Sequence, residues 1–296
     1  MKKFISILCS LALICSIIVP TFAASTAPSV GYQILTVQEV AAQTVTPEML
    51  ETRSQIAQEY PGLTSIPLNE IDPNEEIISL NSMEDLDQIM SGLNAAPYYR
   101  GGYDFSRFVD NYLESLSGWD EENTLTVASS AYGDAPAYHR ETSEEINCYG
   151  YAADFNWWIL PGDIYYTNGS QWTDGSTVSE VADWVEKDFS RADQRPIRRI
   201  TSATASVTST ERRICTRVGD KYVSISGAVY RVCDFHFMMQ INTGKWAHKP
   251  GSLPSMATSI TNPSSKAWDM YGKDSSGNSV VAITGFYDST TIYFAI

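Results

Sequence analysis

One cysteine and two histidines are the residues of this sequence best suited to chemistry. Cys148 lies in the hexapeptide Asn-Cys-Tyr-Gly-Tyr-Ala, and His236 and His248 lie twelve residues apart nearer the C-terminus. A cysteine becomes a nucleophile when an imidazole takes its proton, and a further polar side chain fixes the tautomer and orientation of that imidazole. These residue types indicate acyl transfer, provided that the fold brings them together.

Cys148 is predicted to lie in the first turns of a buried helix. Ser143 is suited to cap this helix, and apolar residues recur at helical spacing until Pro161-Gly162 ends the run: Tyr151, Ala152, Phe155, Trp158 and Ile159. The free N–H groups and the dipole at a helix start stabilise an anion, so we expect a thiol pKa below its usual value of about 8.5. An inert core cysteine is the alternative.

The two histidines are predicted to lie on neighbouring strands of one hairpin. Residues 229–251 alternate in type as a strand does, break at Asn242-Thr243-Gly244 and then resume. A three-residue loop that ends in glycine pairs residue 238 with 248, which makes His236 and His248 diagonal neighbours on one face. A two-residue loop would place them on opposite faces, so the predicted site depends on this turn.

The N-terminus and the cysteine count predict an exported protein. Residues 1–24 combine a basic start, an apolar stretch and small residues near a cleavage site, which is typical of a signal peptide. Its removal leaves three of the five cysteines, so at least one thiol stays unpaired or pairs between chains. Cys215 and Cys233 either form a disulfide or pack as small apolar residues. No later apolar run reaches the roughly 20 residues that span a bilayer, so we expect a secreted protein without a membrane span.

Charge divides the chain into an acidic first part and a nearly balanced second part. Residues 25–125 carry 17 acidic side chains against three arginines, a net charge of −14, whereas residues 126–296 carry 18 against 15, a net charge of −3. Thr46 and Ser82 are typical helix caps within the acidic part. We interpret residues 25–125 as a loosely structured leader that favours solubility, or alternatively as a pro-segment that docks on the rest.

An arginine-rich stretch supplies a basic partner for the leader. Its seven members are Arg191, Arg195, Arg198, Arg199, Arg212, Arg213 and Arg217. Guanidinium groups bind carboxylates in bidentate fashion, so this stretch would attract the acidic leader or an anionic wall polymer, the alternative being a pair of solvated strands. With a sequence pI near 4.5, we do not expect nucleic acid as a partner.

Three segments carry a resemblance to a known superfamily: "NCYGYA", "LPGDIYY" and "DFHFMMQINTGKWAHKPG". The sequence resembles the papain-like cysteine peptidases, with a Cys-His-His spacing closer to the NlpC-type cell-wall branch. Over residues 130–270 it is similar to a group of secreted bacterial proteins with these motifs. The resemblance implies that Cys148 is the nucleophile, His236 the base and His248 the orienting residue. Asn147 and Tyr132 are candidate oxyanion donors beside the backbone N–H of Cys148.

Other assignments of these residues stay open. His236 or His248 could be a structural histidine, and Asp234 or Asp269 could orient the base instead. One cysteine and two histidines also suit a catalytic zinc with an open fourth position. A catalytically inactive binding or effector protein on the same fold is a further alternative, since a fold does not confer activity.

Together these patterns predict an α+β fold of the papain-like type. The helix that bears Cys148 and a second helix near Val178 to Phe189 pack on an antiparallel sheet formed by about residues 197–296. Residues 1–24 are a signal peptide, residues 25–125 the acidic region and residues 126–296 the catalytic domain. The predicted function is a secreted bacterial cysteine peptidase or amidase that hydrolyses a peptide bond, with peptidoglycan stem peptides ahead of protein substrates. No cofactor is predicted.

Overall fold

The fold is α+β, with one large mixed sheet and few helices. The computed structural model describes residues 31–100, 131–155, 157–166, 171–191 and 196–296. The helices are α1 (Val37–Ala41), α2 (Pro47–Glu59), α3 (Met83–Gly92), α4 (Ala96–Tyr99), α5 (Cys148–Ala153) and α6 (Val178–Arg191). The strands are β1 (Gln33–Thr36), β2 (Ser65–Ile66), β3 (Glu76–Leu80), β4 (Arg198–Ile200), β5 (Arg213–Ile225), β6 (Ala228–Gln240), β7 (Trp246–His248), β8 (Met256–Ala257), β9 (Trp268–Lys273), β10 (Ser279–Tyr287) and β11 (Ile292–Ala295).

Nine of these strands form one mixed sheet within the described ranges. β1, β3, β5, β6, β7 and β8 follow one another across it, while β11 pairs with β4 and β5, and β2 pairs with β6. β3 runs parallel to β5, with Ile77 opposite Tyr222 and Leu80 opposite Ile225. The prediction of an antiparallel sheet from residues 197–296 alone is therefore wrong. A parallel pair needs a long connection between its strands, and the chain between β3 and β5 supplies one.

Residues 31–100 are integrated into this sheet. Three strands come from this region, and Ile77 of β3 is completely buried. The predicted caps are confirmed, since Thr46 and Ser82 each accept the backbone N–H three residues on, at the start of α2 and α3. Residues 31–100 are therefore not loosely structured, contrary to the interpretation as a solvated leader, because their apolar side chains are buried against the rest of the chain.

The hairpin that carries the two histidines has the predicted register. Met238 pairs with His248, and the Ile241 N–H donates to the Lys245 carbonyl at 2.9 Å. Gly244 closes the loop with a φ of 78°, the left-handed conformation that glycine adopts without strain. The three-residue turn is therefore confirmed, and His236 and His248 lie on one face of the hairpin.

The helix that begins at Cys148 is shorter than predicted. Asn147 rather than Ser143 is its cap, and the helix ends at Ala153, where Asp154 takes a left-handed φ of 61°. A Cβ at Gly150 would lie 1.8 Å from the Trp157 carbonyl oxygen, so the chain folds back against the helix at this glycine. The apolar spacing beyond residue 153 therefore belongs to a returning loop. The second predicted helix is confirmed as α6.

The two faces of β6 are covered by different elements. Side chains alternate along a strand, so Phe235 and Phe237 point to one face and His236 to the other. Tyr149 of α5 stacks on Phe237 with 4.7 Å between ring centroids, while Tyr287 of β10 stacks on the opposite face against His236 at 4.9 Å. The β9–β10 hairpin, which the sequence patterns did not predict, therefore closes the histidine face of the sheet.

The described arginines of the arginine-rich stretch bind partners within residues 131–296. Arg198 pairs with Glu211, and Arg199 pairs with Asp183 and Glu186 of α6. Two further members are buried, Arg213 and Arg217. Their guanidinium groups donate to backbone carbonyl oxygens and to side-chain oxygens within residues 131–296. These contacts do not involve residues 31–100, so docking of the leader on this stretch is not observed in the described part of the chain.

Within the described residues, no helix combines the length and the apolar character needed to cross a bilayer. The predicted signal peptide, residues 1–24, lies outside the described residues, and so does Arg195.

Candidate active site

Cys148 is the first residue of α5 and its side chain is completely buried. Asn147 holds this helix start: its carboxamide accepts the Gly150 N–H at 3.0 Å and donates to the Ile159 carbonyl at 2.7 Å. The Cys148 thiol lies 3.8 Å from the Phe235 carbonyl oxygen, to which it donates. The structure therefore places the thiol beside β6, one residue from His236, with its proton directed at the backbone.

His236 and His248 are in direct contact. Nε2 of His236 lies 2.6 Å from Nδ1 of His248, and the two rings are nearly perpendicular, at 89°. Tyr287 stacks on one side of His236 and Trp268 meets its ring edge-on, with 6.1 Å between centroids. Both imidazoles are buried. The predicted pairing of these histidines is therefore present, in surroundings that are largely aromatic.

Asn94, which follows α3, joins the cysteine to the histidine. Its Oδ1 accepts the backbone N–H of Cys148 and that of Gly251, each at 3.1 Å. Its Nδ2 lies 2.9 Å from the Phe235 carbonyl oxygen and 3.2 Å from Nδ1 of His236. Asn94 is completely buried. Within the described residues, Cys148 and His236 are thus linked through this carboxamide instead of by a direct hydrogen bond.

These contacts fix the tautomers of both histidines. Because Oδ1 of Asn94 accepts two N–H groups, its Nδ2 is the donor to His236, so Nδ1 of His236 is the acceptor. The proton of neutral His236 then lies on Nε2 and is donated to Nδ1 of His248. His248 consequently carries its own proton on Nε2, an atom that is buried and has no hydrogen-bond partner among the described residues. Nδ1 of His236 therefore accepts from Asn94, the same residue that binds the backbone N–H of Cys148.

Burial raises the pKa of the Cys148 thiol well above its usual value, and the nearby Asp234 carboxylate acts in the same direction. The expectation of a lowered thiol pKa is wrong for this structure. α5 has only six residues, and the N–H of Cys148 is already bound by Asn94, so little of the helix start is left to stabilise a thiolate. The resting thiol is protonated.

Burial also keeps the two imidazoles neutral. It lowers the pKa of His236 well below its usual value, with a smaller contribution from His248, and it lowers the pKa of His248 to about 4. A neutral imidazole can accept a proton. A protonated thiol and a neutral imidazole can begin general-base catalysis, but burial opposes the proton transfer because it lowers the pKa of His236 and raises that of Cys148.

Asp234 anchors the segment that carries Asn94. Its Oδ1 accepts the Ala95 N–H at 2.8 Å, and its Oδ2 accepts the Asn94 N–H and Nδ2 at 3.1 Å and the Tyr287 hydroxyl at 2.6 Å. Burial raises the pKa of this carboxyl group to about 7, against the effect of these hydrogen bonds. Asp234 therefore positions Asn94 and does not contact the imidazole of His236 as its orienting partner.

Lys249, adjacent to His248, shapes the loop opposite Asn94. Its side chain is completely buried, and Nζ donates to the Gly251 and Leu253 carbonyl oxygens, both at 3.0 Å. Burial lowers the pKa of Lys249 to about 8. Lys249 thus binds the loop from which the Gly251 N–H donates to Asn94.

Several sequence-based candidates lie outside the site or have other partners. Asn147 is committed to capping α5, and the ring of Tyr132 lies over Gly244 in the β6–β7 turn. Asp269 accepts the Gly285 N–H across the β9–β10 hairpin. Cys215 and Cys233 are buried free thiols, so the disulfide alternative is wrong.

The zinc alternative finds no geometric support in the described part of the chain. Nε2 of His236 and Nδ1 of His248 are directed at each other, whereas Cys148 is directed at a backbone carbonyl, so the three do not converge on one point. More generally, the described residues include no group of three His, Cys, Asp or Glu side chains arranged to hold a metal ion.

Asn94 is the site residue that the sequence analysis missed. It lies in Leu-Asn-Ala-Ala-Pro, 54 residues before Cys148, in the region interpreted as a leader. The available signal was weak: a single polar residue between the apolar end of α3 and a proline.

Comparisons of the chain with models of protein families, with curated proteins and with solved structures found no match.

Proposed function

We propose that the protein is a cysteine-type peptidase or amidase in which Cys148 is the nucleophile, His236 the base and His248 the orienting residue. The observation that carries the proposal is the directed contact between the two histidines. It leaves Nδ1 of His236 as the proton acceptor, and Asn94, which contacts this atom, also binds the backbone N–H of Cys148. Two backbone N–H groups that converge on one amide oxygen, those of Cys148 and Gly251, provide the means to stabilise an oxyanion.

In the proposed reaction, Nδ1 of His236 takes the thiol proton while the sulfur of Cys148 attacks the carbonyl carbon of the substrate amide. The tetrahedral oxyanion is held by the N–H groups of Cys148 and Gly251. His236 then returns the proton to the amide nitrogen, the C–N bond breaks, and an amine leaves a thioester on Cys148. Water attacks the thioester with the same base, and the C–S bond breaks to release a carboxylic acid and the thiol.

The sequence supports the proposed substrate class and the proposed location of the protein outside the cell. The resemblance to papain-like peptidases of the NlpC type favours peptide bonds of cell-wall stem peptides, with protein substrates second. The signal-peptide pattern in residues 1–24 supports an action outside the cell. The papain-like arrangement of a helix-borne cysteine and a strand-borne histidine is supported by the thiol of Cys148, which lies 3.8 Å from the carbonyl oxygen of Phe235, the residue before His236.

One observation favours a second candidate, a catalytically inactive binding or effector protein on this fold. The Cys148 thiol is completely buried, and burial raises its pKa, so the resting structure does not expose a nucleophile to substrate. Hydrolysis of a substrate would favour the peptidase or amidase, and its absence would favour the binding protein.

The test is a substrate profile of the protein without residues 1–24, with peptidoglycan fragments and a peptide library as substrates and Cys148→Ala as the matched variant. We expect cleavage of an amide bond that the variant loses. Turnover that survives in Cys148→Ala would contradict the cysteine mechanism. Absence of turnover across both substrate sets, including with Asn94→Ala, would favour the binding protein.

A further inference from the structure

The carboxamide of Asn94 is bound as the amide of a substrate would be. Its oxygen accepts two backbone N–H groups that come from separate segments, Cys148 at the start of α5 and Gly251 after β7, each at 3.1 Å. Two N–H donors that converge on one carbonyl oxygen are the arrangement that stabilises the oxyanion of acyl transfer. In this structure, that position is filled by a side chain of the protein itself.

The nitrogen of the same carboxamide lies where a leaving group would be. Nδ2 of Asn94 is 3.2 Å from Nδ1 of His236, the atom that would return a proton to the departing amine. It also lies 3.1 Å from Oδ2 of Asp234 and 2.9 Å from the Phe235 carbonyl oxygen. The site thus offers donors to the oxygen of an amide and acceptors to its nitrogen.

We propose that Asn94 is a built-in substrate mimic: its side chain occupies the amide-binding position, and a substrate amide must displace it before Cys148 can react. The inference rests on the proposed function and adds both a ligand class, a neutral amide, and a means of regulation.

The same contacts discriminate an amide from a carboxylate. When Asp234 is ionised, above its pKa of about 7, a carboxylate in the place of the carboxamide would direct its second oxygen at three acceptors: the Asp234 carboxylate, the Phe235 carbonyl and Nδ1 of His236. An acceptor that meets only acceptors in a buried site is unpaired, and a buried charge without a partner is disfavoured further. The site therefore binds the amide substrate and rejects the carboxylate product.

Displacement does not require the whole segment to leave. The backbone around Asn94 is fixed separately, because Asp234 accepts the N–H groups of residues 94 and 95 and the indole N–H of Trp158 donates to the Asn94 carbonyl. A rotation of the Asn94 side chain alone would free the N–H groups of Cys148 and Gly251. The inhibitory element is thus a single side chain on a fixed backbone.

The test is the rate at which iodoacetamide modifies each cysteine in the folded wild type and in Asn94→Ala, read by peptide mass spectrometry. Buried thiols react only when the structure opens locally. Removal of the carboxamide should speed Cys148 modification by about tenfold or more, the factor that corresponds to one or two lost hydrogen bonds. Cys215 and Cys233, which are also buried, should keep their slow rates and report any general unfolding.

Asn278→Ala is the matched control, since that asparagine also makes carboxamide hydrogen bonds but lies in an exposed turn with Asp274. It should leave the rate at Cys148 unchanged. Acetamide added to Asn94→Ala should refill the position and slow Cys148 modification again, whereas acetate at the same concentration should not. An unchanged rate in Asn94→Ala, an equal increase at all three cysteines, or equal protection by acetamide and acetate would overturn the proposal.

A further variant separates this proposal from the proposed function. If Asn94→Ala accelerates modification of Cys148 and the additional change His236→Ala leaves that rate unaltered, the substrate mimic stands and the role of His236 as base fails. If the additional change slows the modification, both stand.

Discussion

Asp234 and Asp188 are two buried carboxyl groups with nearly the same surroundings and different consequences. Burial raises the pKa of each to about 7. Each accepts two or more backbone N–H groups and one tyrosine hydroxyl, from Tyr287 in the first case and Tyr149 in the second. A perturbed pKa in a hydrogen-bonded cluster therefore does not distinguish a functional carboxyl group from a structural one in this protein.

The difference lies in what each cluster is connected to. The partners of Asp188, on α6, include the N–H groups of Gly162 and Tyr165, so its contacts fix the loop that returns from α5. Asp234 instead binds Asn94, which in turn contacts His236 and the backbone of Cys148. Connection to Cys148 and His236, rather than the carboxyl group itself, marks the candidate active site.

The largest effect is expected when the two carboxyl groups are removed in turn. Asp234→Ala and Asp188→Ala each leave at least two N–H groups and one tyrosine hydroxyl without this acceptor, at a cost of about 1–3 kcal/mol for each group that is buried. Both variants should lose about 3 kcal/mol or more of unfolding free energy in urea. Under conditions in which both variants stay folded, only Asp234→Ala should change the rate at which iodoacetamide modifies Cys148. Equal changes at Cys148 would remove the distinction between the clusters.

The pH dependence of the unfolding free energy offers a second test, which concerns the burial of His248. The pKa of His248 is about 4 in the folded protein and about 6.5 when unfolded, so the native state binds fewer protons between these values. Its contribution to stability is present above pH 6.5 and lost as the pH falls towards 4. His248→Gln should therefore lose less stability on acidification than wild type, by at most about 3 kcal/mol.

Urea unfolding at several pH values, with the two proteins compared at each, measures this difference. The buried aspartates contribute in both proteins and cancel in the comparison. Parallel pH profiles would show that His248 titrates normally and is not enclosed as the structure has it.

A matched pair of tyrosine variants gives a smaller and sharper comparison. Tyr287→Phe removes the hydroxyl that binds Asp234, and Tyr149→Phe removes the one that binds Asp188. Each should cost about 1 kcal/mol of unfolding free energy, the net value of one buried hydrogen bond. Iodoacetamide modification of Cys148 should change in Tyr287→Phe alone, because only that hydroxyl belongs to the cluster that holds Asn94.

The smallest effect is expected at the ion pairs of Arg199 with Asp183 and Glu186 on α6. These side chains are partly exposed, and exposed pairs contribute about 0–1 kcal/mol. Arg199→Ala should lower the unfolding free energy by less than about 1 kcal/mol and leave Cys148 modification unchanged at low and at high salt. A salt-dependent change at Cys148 would restore the idea that this stretch docks an acidic segment over the site.

Local sequence patterns predicted the parts of the molecule whose geometry is local. Asn242-Thr243-Gly244 fixes the β6–β7 register, because a glycine in the left-handed conformation determines how the strands pair, and His236 thereby meets His248. The cap of α5 was misplaced because Ser143 and Asn147 are both good caps, and tertiary contacts of Gly150 decided between them.

Contacts between distant segments were not predictable in this way. Asn94 reaches Cys148 through the parallel pairing of β3 with β5 and the anchoring of residues 94 and 95 by Asp234. No periodicity within residues 25–125 indicates that pairing. Charge suggested that the region docks on arginines, whereas burial of its apolar side chains integrates it into the sheet.

The most direct test of the central claim is a search for an acyl group on Cys148 during turnover. Wild type, His236→Ala and Cys148→Ala would be mixed with the best wall peptide or library substrate, quenched in acid and examined by peptide mass spectrometry. We expect an acyl thioester on Cys148 in wild type and none in the two variants. Hydrolysis without any adduct on Cys148, or hydrolysis that continues in Cys148→Ala, would contradict the account.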